Sequence, residues 1–182
     1  MSVREQLEME LKELGISNIG VVPVTEVPFE PSLLDLCKQN HCGRYGTNWV
    51  CPPHCGDIED NIAKAKAYEQ MLVFQKVYRL EDSFDFEGMT AGKDDFKEIN
   101  RKMVKYVHDS FPDFWMLGPG GCSICEKCTV HENLPCKHPD EVCPALESCG
   151  VFVSELAGRA GLKYINGQNT VTYFAGVLYN ER

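Results

Sequence analysis

The apolar positions of this chain switch between helical and strand spacing, and the switch points mark out its elements. Leu7, Leu11 and Leu14 repeat at helical spacing behind Ser2 and Glu5, a capping-box pair, so the sequence predicts an amphipathic helix ending at Gly15. Residues 16–24 (ISNIGVVPV) predict a strand, and 32–36 (SLLDL) a short turn after Pro28 and Pro31. Asp57 is placed to cap a helix over 57–70, and the apolar run at 71–80 (MLVFQKVYRL) predicts a second strand. The acidic, glycine-containing stretch 81–95 predicts an exposed loop. Helical spacing returns from Phe96 to Phe111, with Ile99, Met103, Val104 and Val107 on one face. A short apolar run at 114–121 (FWMLGPGG) ends in glycines, and 144–161 predicts a helix closing near Gly161. Asn166-Gly167 between 163–165 and 168–179 predicts a hairpin.

Strands alternating with helices define an α/β fold. The expectation is a single domain over 1–182, with a mixed sheet of four to five strands, helices packed on it and two cysteine-rich metal-binding loops among its connections. A chain of 182 residues can bury roughly 70% of its unfolded surface. It therefore has a core without covalent staples.

Composition changes the picture at one point, the 10 cysteines. Nearly all fall in two segments. Dense disulfides serve small secreted domains that lack a core, and that need is missing here. The N-terminal segment is charged throughout, which excludes a signal peptide or membrane span there, so a reducing cytoplasm is expected. Grouped thiols in that compartment are metal ligands or redox groups more often than cystines. The formal charge of −9 repels phosphate backbones, and no basic stripe offsets it, so neither nucleic acid nor membrane is an expected partner.

The second segment places Cys122, Cys125 and Cys128 three residues apart, with Cys136 after Pro135. In a loop this spacing lets successive thiolates reach separate irons of one cluster while the intervening amides point at sulfur. On a regular helix the outer two would stand about 9 Å apart, too far for one tetrahedral ion. The preceding GPGG lets the backbone approach an inorganic core closely. Zinc is the alternative, with Cys125 and Cys128 as one knuckle and Cys51 and Cys55 as another, but it leaves Cys122 and Cys136 unexplained. Redox thiols without metal are a third reading.

The first segment holds Cys37, Cys42, Cys51 and Cys55, with gaps of four, eight and three residues. The glycines of CGRYG and the rigid Pro52-Pro53 favour a folded-back loop over a helix. Tyr45 and Trp49 lie between the thiols, where they exclude water from a cluster or simply pack in the core. Cys143 or Cys149 is an alternative to Cys55, and both also read as small buried residues.

The pattern C-x4-C-GRYG-x4-CPP, then GGC-x2-C-x2-C, PC-x2-P and Pro144-x-x-Glu147-x-x-Gly150, resembles the prokaryotic family of predicted metal-binding proteins of unknown function. The resemblance runs from Cys37 to Tyr179. It implies Cys37, Cys42, Cys51, Cys122, Cys125, Cys128 and Cys136 as metal ligands, with Cys55 and Cys143 as less regular members.

Other chemistry finds little support. No Gly-x-Gly-x-x-Gly follows a strand, Gly88 to Lys93 is one residue short of a phosphate loop, and Pro135 stands where a zinc-protease motif begun at His131-Glu132 needs its second histidine. The expected protein carries iron–sulfur clusters, two of the [4Fe–4S] type, and exchanges electrons with a redox partner protein. A zinc-stapled interaction module and an iron–sulfur enzyme acting on a small molecule are the alternatives.

Overall fold

Ser2 and Glu5 make the reciprocal contacts that their spacing predicts. The Ser2 hydroxyl accepts the Glu5 N–H at 3.2 Å, and the Glu5 carboxylate accepts the Ser2 N–H at 2.8 Å. They open α1 (Val3–Glu13) in a computed structural model that describes residues 1–181. In chain order there follow β1 (Asn18–Pro23), α2 (Leu33–Gln39), α3 (Ile58–Ala65), β2 (Gln70–Arg79), α4 (Phe86–Ser110), β3 (Phe114–Leu117), α5 (Val153–Arg159) and β4 (Thr170–Tyr179). Asp57 caps α3 as expected, accepting the N–H groups of Glu59 and Asp60.

The strands form one sheet in the order β1-β2-β4-β3. Every pairing within it is antiparallel, so the parallel component of the expected mixed sheet reduces to an isolated bridge between Gly118 and Ala145. Helices cover both faces. Leu72 and Phe74 of β2 pack with α1 and α4 through Leu7, Leu11, Phe96 and Met103, while Met71 and Val73 face Ala65 of α3 and Leu156 and Ala157 of α5. Burial on both sides explains why this strand reads as a continuous apolar run instead of alternating.

Four expectations change in detail. The segment 81–95 is a loop only to Asp85. That residue accepts the Gly88 N–H at 2.8 Å and starts α4, a 25-residue helix. Its Gly92 is a packing residue, since a Cβ there would stand 2.8 Å from the Tyr78 ring. The turn at 32–36 is the start of α2. The helix over 144–161 is broken at Gly150, whose φ of +72° follows a short 3₁₀ turn, Glu147–Cys149, and α5 begins three residues later.

The predicted hairpin is the fourth. The turn exists, with Gly167 at φ +105° and the Asn166 amide donating to Lys163 O (2.9 Å) and Thr172 Oγ1 (3.0 Å). Residues 163–165 nonetheless form no strand. β3 pairs with β4 only over Gly176–Tyr179, so beside the turn no strand pairs with β4 on the edge opposite β2.

Candidate metal centre

The sheet delivers both cysteine segments to one rim. Segment 144–148 is laced to each of them: Gly118 N–H donates to Pro144 O (2.8 Å), Leu146 N–H to Gly118 O (3.0 Å), and Ala145 N–H to Val50 O (3.3 Å). Val50 precedes Cys51, and Gly118 leads from β3 toward Cys122.

In the first segment Cys37 lies in the last turn of α2, where a loop was expected. The helix stops at Asn40, in the left-handed conformation at φ +56°. The Asn40 side chain accepts the Tyr45 N–H at 3.0 Å, and Gly46 N–H donates to Pro52 O at 2.8 Å, so the glycine-rich stretch folds back. Cys37, Cys42 and Cys51 thereby line one cavity of about 480 Å³, together with Arg44 and Glu147. Cys55 does not line that cavity, although Cys51 and Cys37 are electrostatic neighbours of its thiol. Its thiol lies 3.9 Å from Gly56 O, while Asn61 Nδ2 donates to Cys55 O at 3.2 Å.

In the second segment Cys122, Cys125, Cys128 and Cys136 line a single narrow cavity of about 20 Å³, closed by Trp49 and Val50 of the first segment. The His138 N–H donates to the Cys136 sulfur at 3.4 Å. Cys143 lies 3.4 Å from the Asn100 amide and lines an adjoining cavity with Cys122, and Cys149 is fully buried in the core beneath α5.

The 44–50 loop joins the two groups. The Arg44 guanidinium donates to Cys122 O, the Asn48 side-chain oxygen accepts the N–H groups of Cys122 (3.4 Å) and Val50 (3.2 Å), and the Trp49 indole donates to the Thr129 hydroxyl. From the other side Lys97 donates to Gly121 O at 2.6 Å. Sequence reasoning missed Arg44, Asn48, Lys97 and Glu147. Arg44 sits within the GRYG turn and Glu147 within the Pro-x-x-Glu-x-x-Gly pattern, so those two had a signal, while nothing local marks Lys97.

Burial raises the thiols of Cys37, Cys51 and Cys122, and pushes Cys55 up to about 11 and Cys143 up to about 12. After burial, Glu147, Cys51 and Cys42 raise Cys37 further; Cys136, Cys128 and Cys125 do so for Cys122, partly offset by the Ile124 N–H. The thiols within each group are thus electrostatic neighbours. Their ionised forms repel one another, and a bound cation would relieve that repulsion. Glu147 is raised by burial, opposed only by its own backbone N–H. The residue lines the first cavity and keeps much of its surface in solvent.

Among the described residues, no group of three or more His, Cys, Asp or Glu side chains is drawn together as a site for one metal ion. The thiols of each group line a shared space. Soft sulfur donors facing a shared space suit thiophilic metal.

The chain belongs to the predicted metal-binding protein family (DUF2284), whose profile matches residues 20–179 and so covers nearly the whole described fold. No curated protein and no solved structure matches the chain significantly. No helix among the described residues is long and apolar enough to cross a membrane.

Proposed function

We propose that this is an iron–sulfur protein, with a [4Fe–4S] cluster at each thiol group, that exchanges electrons with a partner protein in a reducing cytoplasm. One observation carries the reading: Cys37, Cys42 and Cys51 line a space of about 480 Å³ without forming a site for one ion. Sulfurs around a tetrahedral zinc lie about 2.3 Å from the metal and hence within about 4 Å of each other. A cluster, whose irons each take one thiolate, fills a larger space.

When bound, such clusters supply reversible one-electron chemistry. The protein's part is to hold and tune them. The His138 N–H at the Cys136 sulfur stabilises negative charge there, as does the backbone N–H of Ile124 at Cys122. Trp49 and Val50 close the second cavity against water. All 10 cysteines are free, in keeping with a reducing compartment.

The narrowness of the second cavity, about 20 Å³, favours a second reading for that site alone, a structural zinc held by Cys122, Cys125, Cys128 and Cys136. Analysis of iron, acid-labile sulfide and zinc in anaerobically purified protein separates the two. About eight irons and eight sulfides per chain, with broad absorption near 400 nm, are expected for two clusters. About four irons with one zinc assigns zinc to the second site. Colourless protein with zinc alone rejects the iron–sulfur reading.

A further inference from the structure

We propose that Arg44 is the shared counter-charge of the two thiol-bound centres and raises the reduction potential of both. The inference rests on the iron–sulfur reading and names the residue that tunes it. Arg44 belongs to both groups at once. It lines the first cavity with Cys37, Cys42 and Cys51, and its guanidinium donates to Cys122 O in the second segment.

The local structure holds it there. The Thr47 hydroxyl (2.9 Å) and the Asn48 amide (3.3 Å) both donate to Arg44 O, and the same buried Asn48 accepts the Cys122 N–H. The side chain lies across Gly121, where a Cβ would overlap Arg44 Nε. Lys97 donates to Gly121 O, so two cations hold the consecutive carbonyls of Gly121 and Cys122. Neither enters an ion pair among the described residues. Burial first, and then Arg44 and Lys93, lower the Lys97 ammonium from its ordinary value, opposed by Cys122 and Asp94. Like charges are thus gathered at a cost, which anionic centres on either side of Arg44 would offset. Reduction adds one electron to a cluster, and a fixed cation beside it favours the more negative form. Lys97 lines a cavity with Cys122 but not the first cavity, so its influence should be confined to one centre.

The test is an anaerobic dithionite titration of reconstituted full-length wild type, Arg44→Gln, Arg44→Lys and Lys97→Gln, followed by electron paramagnetic resonance. Iron content and thermal unfolding are measured on each. Arg44→Gln should lower both potentials and Lys97→Gln one alone, while Arg44→Lys, which keeps the charge but not the planar fork, should stay near wild type. Unchanged potentials in Arg44→Gln, a shift of only one centre there, or equal shifts in the Gln and Lys variants overturn the assignment and leave the iron–sulfur reading intact. If Arg44→Gln loses a centre, Arg44→Lys decides. Both centres kept near wild-type potentials support the assignment, whereas loss of a centre in Arg44→Lys marks the guanidinium as a structural bond and overturns it. Zinc at the second site also overturns it, because one of the two potentials is then absent. Wild type without iron and sulfide fails the underlying reading first, before any variant is compared.

Discussion

The Trp49 indole N–H donates to the Thr129 hydroxyl, 3.2 Å away, and so ties the loop between Cys42 and Cys51 to the turn that follows Cys128. Thr129 passes the contact on, donating to Pro135 O at 3.0 Å beside Cys136. The relay fixes the fourth thiol of the second group from a residue of the first. Trp49→Phe keeps most of the ring and removes the bond. It should cost about 1 kcal/mol in denaturant unfolding and speed metal loss from the second site to a chelator. Unchanged release kinetics would show that the relay does not position Cys136.

Cys122, Cys125, Cys128 and Cys136 share a cavity that none of the first-group thiols lines. Cys125→Ser should therefore remove one centre and spare the other, halving bound metal. Iron, sulfide and zinc analysis is the measurement, and loss of all metal would mean a single shared assembly.

Buried thiols also set a pH dependence for the metal-free protein. Cys55 is pushed up to about 11 and Cys143 up to about 12, against about 8.5 for an unfolded cysteine. The folded state holds these protons more tightly, so their contribution to stability is complete below about pH 8.5 and is lost as pH rises toward 11 to 12. The urea midpoint should fall between pH 8 and pH 10, and the fall should be smaller in Cys143→Ala. A midpoint that rises over this interval contradicts the assignment.

Gly20 of β1 faces the end of α5 so closely that a Cβ would overlap the Ala160 carbonyl. Backbone cannot yield as a flexible side chain does. Gly20→Ala should destabilise the fold by about 1–3 kcal/mol, read as a lowered midpoint in thermal or denaturant unfolding. Metal content per folded molecule should not change, because Gly20 lies away from both cavities.

Local signals in the sequence translated well where the physics is local. Ser2 with Glu5 and Asp57 cap helices because their side chains reach N–H groups two or three residues on, whatever the rest of the chain does. The grouping of the thiols was legible for the same reason. Long-range facts were not. Gly88 and Gly92 read as loop formers, yet Gly92 sits in a helix because Tyr78, from another element, occupies the space of its missing Cβ. Asn166-Gly167 makes its turn, but residues 163–165 form no partner strand, which the turn residues alone do not decide. Glu147 comes to the first cavity on a segment bridged to Gly118 through Ala145, far apart in the chain, and no spacing within either cysteine segment encodes that.

The latest strand in the chain is the one that joins the others, since β4 lies between β2 and β3. During synthesis both thiol segments leave the ribosome before this keystone exists, and β3, which leads to Cys122, has no strand to dock on until it pairs. A chain stalled before Thr170 should therefore hold less metal than one in which β4 has paired, because β3 is left without its neighbour in the sheet.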